Sequence, residues 1–111
     1  MLKSFDIKLS DEDRCGSELH IDHGQVTGFA VRYDAYIDGA WHTIAIFDSH
    51  GGFAHWHMVD PIKGKGEKQE IPLDLKRAVT YAFDTIKAHW EVWREQYLRR
   101  LRRDDQQDLF R

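Results

Sequence analysis

Residues 26–48, VTGFAVRYDAYIDGAWHTIAIFD, set two runs of strand-forming residues on either side of Asp38-Gly39. An Asp-Gly pair tolerates the positive φ angles of a two-residue type I′ turn, and that turn matches the twist of the strands it joins. A hairpin centred there puts Ile37 opposite Ala40, Ala35 opposite His42, Tyr33 opposite Ile44, Val31 opposite Ile46 and Phe29 opposite Asp48. That face is mainly apolar. The alternate face pairs Tyr36 with Trp41, Asp34 with Thr43, Arg32 with Ala45 and Ala30 with Phe47, a mixed set expected to be partly wet.

Working outward, residues 17–25 (SELHIDHGQ) read as a strand ending in a turn at His23-Gly24, and residues 5–9 (FDIKL) as a shorter edge strand. Downstream, residues 53–60 (FAHWHMVD) read as the strand after Gly51-Gly52. The expected sheet is an antiparallel meander of four to five strands over residues 1–60. Residues 61–72, PIKGKGEKQEIP, interrupt both hydrophobic periods and read as a loop. Beyond it Leu75, Val79, Ala82, Phe83, Ile86, Trp90, Trp93, Tyr97 and Leu101 recur at threes and fours, which predicts one long amphipathic helix over 73–104 with Asp74 as its N-cap. A polar tail, 105–111, is expected to follow. Neither layer can hide its apolar surface alone, so the fold class is α+β, a sheet packed by one C-terminal helix. A chain of 111 residues with 41% hydrophobic content fits a single such domain.

Composition narrows the function classes. No apolar run approaches the length of a membrane span and the N-terminus lacks the apolar core of a signal peptide, so the expectation is a cytoplasmic protein with no membrane partner. The single cysteine, Cys15, excludes an internal disulfide, and its polar surroundings DRCGS suggest a loop thiol. The formal net charge of −3 hides an asymmetry: residues 1–60 carry four basic and ten acidic side chains, residues 61–111 twelve basic and nine acidic. The basic excess concentrates in WREQYLRRLRR, where Arg94, Arg99, Arg100, Arg102 and Arg103 make a candidate phosphate-binding surface, the alternative being a solvated helix face.

The stretch DSHGGFAHWHMVD, residues 48–60, carries three of the seven histidines. A period of two places His55 and His57 on one strand face, about 7 Å apart at Cα, with Ala54, Trp56 and Met58 turned toward the helix. A tight reversal at the glycines brings Asp48 and His50 toward the same patch. Such a set suits three roles. A divalent metal could take His50, His55, His57 and Asp48 as ligands, although no cofactor is required by the pattern. Metal-free RNA cleavage could use two histidines as acid and base, with Arg32 steadying the phosphorane and Tyr33 or Tyr36 positioning it. Or the histidines could simply cap a turn and pack on aromatics.

The aspartate after an apolar strand, the glycine and the spaced histidines of DSHGGFAHWH resemble the TumE-like small toxins of toxin-antitoxin loci. The resemblance covers residues 29–60 and implies an RNA-directed, growth-inhibiting protein, a candidate ribonuclease silenced by a partner antitoxin, with Asp48, His55 and His57 at its site. The chain departs from that pattern in its extra His50 and in an aromatic between the paired histidines. A broader similarity, to small prokaryotic proteins with an HGFAH-like segment, supplies no activity. The competing reading is a non-enzymatic adaptor, of phage or mobile-element type, docking through the basic helix. A homodimer through Tyr36 and Trp41, or through an open sheet edge, would suit either.

Overall fold

The computed structural model describes the backbone of residues 1–109 and the side chains of residues 1–103. Strands β1 (Leu2–Ser10), β2 (Asp13–Asp22), β3 (Gln25–Ile37), β4 (Ala40–Asp48) and β5 (His55–Asp60) pair antiparallel in chain order, and helix α1 (Leu75–Leu109) follows. The α+β meander with one packing helix is therefore present. The strand number is larger than the four to five expected, because the segment read as a loop contributes two short strands, β6 (Gly64–Lys65) and β7 (Gln69–Glu70), which both pair with β5. Glycine and lysine obscured the strand period there, yet backbone pairing along an edge needs no apolar side chains.

Asp38 and Gly39 adopt φ of 50° and 84°, as a type I′ turn requires, and His23 and Gly24 repeat the arrangement at 49° and 74°. The hairpin register starts as the sequence implies, with Ile37 opposite Ala40 and Asp34 opposite Thr43, but Tyr33 then pairs with Ala45 rather than Ile44. Ile44 is the extra residue of a β-bulge. From that point every side chain of β4 changes face, so Phe47 pairs with Val31 in the core, and Ile46 and Asp48 turn to the opposite side beside Arg32 and Ala30. Phe47 is fully buried, whereas the unbulged register would have put Asp48 toward the helix.

The core lies between the sheet and α1. Val31, Tyr33, Ala35, Ala45 and Phe47 from the sheet meet Ala78, Val79, Ala82, Ile86 and Tyr97 from the helix. Each large apolar side chain so buried contributes about 1.5–3 kcal/mol. Aromatic contacts run through it: Phe47 stacks on Trp56 with ring centroids 5.2 Å apart, Trp56 on Trp93 at 6.0 Å, and Phe5 on Phe83 at 6.0 Å. Asp74 caps the helix by accepting the Arg77 N–H at 2.9 Å. The helix continues through residues 105–109, where a polar tail was expected; residues 110–111 of that tail lie outside the described residues. No described helix is long and apolar enough to cross a membrane.

Two further expectations change. Cys15 is no loop thiol: it sits within β2, 2% exposed, opposite Tyr33, and burial pushes its pKa up to about 11. Arg94 does not join the exposed basic surface. Its Nε donates to the buried Asp13 carboxylate at 3.1 Å and its Nη2 to Glu12 at 3.0 Å and to the Tyr36 carbonyl at 3.1 Å. Ser10 and Tyr33 hydroxyls also donate to Asp13, so one carboxylate ties α1 to the start of β2 and to the middle of β3.

Candidate functional site

On the sheet face away from the helix, side chains from neighbouring strands line up in rows fixed by the ladder. One row runs Glu18, Ala30, Asp48, His55 and Glu70; the next runs Asp6, Gly16, Arg32, Ile46 and His57; a third holds Arg14, Asp34 and Thr43. The β4–β5 ladder sets Asp48 beside His55, and the β4 bulge puts the pair in line with Ala30 on the face away from the helix.

Asp48 Oδ1 lies 2.6 Å from His55 Nε2, a close contact without the geometry of a hydrogen bond. The same oxygen accepts the His50 N–H at 3.2 Å, closing the turn that Gly51 and Gly52 make with φ of 83° and 91°. Those angles are open to glycine and strained for other residues. On the other side of its ring, His55 Nδ1 lies 3.0 Å from the Phe53 carbonyl.

His57 has a different environment. It is 3% exposed, and neither ring nitrogen has a hydrogen-bond partner among the described residues. Its pKa is lowered from the ordinary histidine value, first by burial and then by the Lys65 ammonium, with Asp48 opposing and His55 and Lys68 adding to the decrease. The two histidines were expected to project from an open face. They do point away from the helix, as Ala54, Trp56 and Met58 point toward it, but both are buried.

His50 is exposed on the turn, and among the described residues no group of three or more histidine, cysteine, aspartate or glutamate side chains is placed to hold a metal. The four-residue metal set therefore does not assemble: Asp48 and His55 meet and His57 follows on the same face, while His50 contributes only its backbone to Asp48. Arg32 occupies the same row as His57, one strand beyond Ile46. Its Nε donates to Asp34 at 3.0 Å, where Arg14 Nε (3.3 Å) and the Thr43 hydroxyl (2.8 Å) also donate. Tyr33, one of the two candidate positioning residues, points into the core, whereas Tyr36 lies on the same face as Arg32.

The arginines of α1 lie on the other side of the sheet. Arg99 pairs with Glu95 one helical turn earlier, and Arg100 Nε donates to Asp60 at 3.3 Å, at the end of β5. Asp60 also accepts the Ile62 and Lys63 N–H groups at 2.8 and 2.9 Å, and these bonds hold its pKa below the usual value. Arg102 and Arg103 are exposed beyond that point. The histidine pair and the basic helix end are thus two surfaces, separated by the sheet.

A family model spans nearly all of this architecture, from β1 through the last described side chain, at residues 1–103. The chain belongs to the DUF7718 family, a domain of unknown function. No curated protein and no solved structure matches the chain. Within this DUF7718 domain, the sequence reading missed Arg14 and Asp34. Their signal was present as opposite charges on one face, but pairing them needs the β2–β3 register, which the local sequence of β2 leaves open.

Proposed function

We propose that the protein is a metal-free, histidine-dependent ribonuclease. The observation that carries the reading is the contrast between two neighbouring histidines: His55 lies between the Asp48 carboxylate and the Phe53 carbonyl, while burial biases His57 toward the neutral ring. Two titratable groups in unlike surroundings are the usual basis of acid–base assignment. On this reading RNA must uncover the buried His57 ring, whose neutral form then accepts the 2′-hydroxyl proton as the 2′-oxygen attacks phosphorus. His55 gives its proton to the departing 5′-oxygen, leaving a 2′,3′-cyclic phosphate and a free 5′-hydroxyl. Asp48 orients His55, and Arg32 supplies positive charge toward the phosphorane. The toxin-like role follows from the same chemistry: growth inhibition on expression would depend on both histidines, and a partner antitoxin would relieve it.

The test is incubation of the purified protein with single-stranded RNA in EDTA, with product ends identified. Cyclic phosphate ends formed by the wild type and lost in folded His55→Gln and His57→Gln variants are expected. An inert wild type between pH 5 and 8, or variants as active as the wild type, would overturn the reading.

One observation favours a second reading, a docking adaptor. A groove of about 310 Å³ between β5 and α1, with Met58, Val59, Trp93 and Tyr97 in its walls, reaches Arg100, which also borders a larger basic depression of about 550 Å³ with Arg99 and Arg103. On that reading Arg99→Glu and Arg100→Glu abolish partner capture while the histidine variants leave it unchanged.

A further inference from the structure

The end of the sheet face near the β3–β4 hairpin carries an exposed aromatic pair and a doubled guanidinium, of which the acid–base chemistry uses Arg32 alone. Trp41 and Tyr36 are 42% and 39% exposed and pack edge to face with centroids 5.3 Å apart. Arg14 lies over the Trp41 ring, its Cζ 3.9 Å from the centroid. Asp34, 3% exposed, holds Arg14 and Arg32 at once, so two cations are fixed by one anion and positive charge remains. Both side chains keep about a third of their surface open, at 32% and 39%. Donors not used by Asp34 are thus available to an outside anion.

Gly16 is part of this arrangement. A Cβ there would lie 2.9 Å from the Arg32 guanidinium, so the absence of a side chain leaves space for Arg32 to lie flat on β2. Toward β1 the surface changes sign, because Asp6 and Glu18 border the depression beside Arg32. A polyanion is therefore steered along β3 and β4 rather than across β1 and β2.

We infer that Trp41, Tyr36, Arg14 and Arg32 form a binding track for single-stranded RNA, in which a base stacks on Trp41 and the next phosphates meet the Asp34-anchored guanidiniums. The track rests on the ribonuclease reading for its direction: it leads from the hairpin toward His57, a distance of roughly 15 Å along the strands, or a few nucleotides of extended chain. Aromatic stacking beside fixed cations is the means by which sheet surfaces hold single strands without reading sequence. An exposed aromatic pair on its own would suit a second copy of the chain equally well. The paired arginines at its flank attract phosphate and so favour the nucleic acid.

The test uses the full chain and a fluorescein-labelled 2′-O-methyl oligouridine octamer, which cannot be cleaved by 2′-hydroxyl attack, with binding read by anisotropy. Trp41→Ala is expected to bind about tenfold more weakly and Trp41→Phe nearly as well as the wild type. Arg14→Gln should weaken binding and lower its salt dependence. Circular dichroism and thermal melting check each fold. Absence of octamer binding by the wild type would overturn the inference, as would equal affinity in Trp41→Ala and Arg14→Gln. A dimer that dissociates on Trp41→Ala, with no octamer bound, would assign the patch to self-association instead. Because His55 and His57 lie outside the track, binding without any RNA cleavage would retain the track and remove the ribonuclease. Cleavage unaffected by Trp41→Ala would do the reverse.

Discussion

The two faces of the sheet use the same chemical unit, a buried aspartate holding arginine, to different ends. On the covered face Asp13 receives Arg94 from the helix together with the Ser10 and Tyr33 hydroxyls, and the unit pins one layer to the other. On the uncovered face Asp34 receives Arg14 and Arg32 from the sheet itself, and no helix lies above it. In the first case the cation is consumed by the fold. In the second, one carboxylate immobilises two cations and leaves their outer edges accessible. A buried aspartate is thus a fastener or a platform according to which element supplies its partner.

The same substitution at both sites separates these roles most sharply. Asp13→Asn is expected to cost about 3 kcal/mol in urea unfolding, because it removes the buried charge that holds Arg94 and leaves that cation only the exposed Glu12. Asp34→Asn should cost about 1 kcal/mol, since its arginines are a third exposed and can rehydrate. Equal losses would erase the distinction between the faces.

Next in size is a pH effect confined to the uncovered face. The folded-state pKa of His57 is depressed, so the unfolded chain binds its proton more readily. Stability is then fully present above the ordinary value of 6.5 and falls as pH drops from there through the depressed value. Thermal melting between pH 8 and 5 should show this decline in the wild type and a flatter profile in His57→Gln. The Asp60 carboxyl, also depressed, loses its contribution only below about 3.8, outside that window.

The smallest effect on stability is expected from Gly16→Ala, within about 0.5 kcal/mol, because the atoms its Cβ meets are the mobile end of Arg32. Binding of the 2′-O-methyl octamer should nonetheless weaken as Arg32 is pushed off the strand. A large fall in melting temperature with unchanged binding would show that Gly16 serves the fold rather than the site.

Much of the covered face was legible in the sequence, because helix and strand periods are local. The stripe from Leu75 to Leu101, the Asp74 cap and the turn at Asp38-Gly39 each depend on a few neighbouring residues. Strands β6 and β7 were not legible, since Lys and Gly at an edge pair through backbone alone. Nor was the internal use of Arg94, which looks from its neighbours like one more cation in a basic run.

The site divides in the same way. That His55 and His57 share a face, turned away from Trp56, follows from the period of two in a strand, and the sequence by itself determined it. That Asp48 lies in line with Ala30, on the face away from the helix, was decided only in the tertiary structure. The bulge at Ile44 reverses the faces of β4, and it is favoured because it brings Phe47, rather than Asp48, into the space beneath the helix. Likewise, Arg14 and Arg32 meet on Asp34 only because β2 and β3 pair in the register that sets Arg14 opposite Asp34, 20 residues away in sequence. Local patterns set which side of an element a residue occupies; which residues from other elements stand beside it depends on how the whole apolar surface is buried.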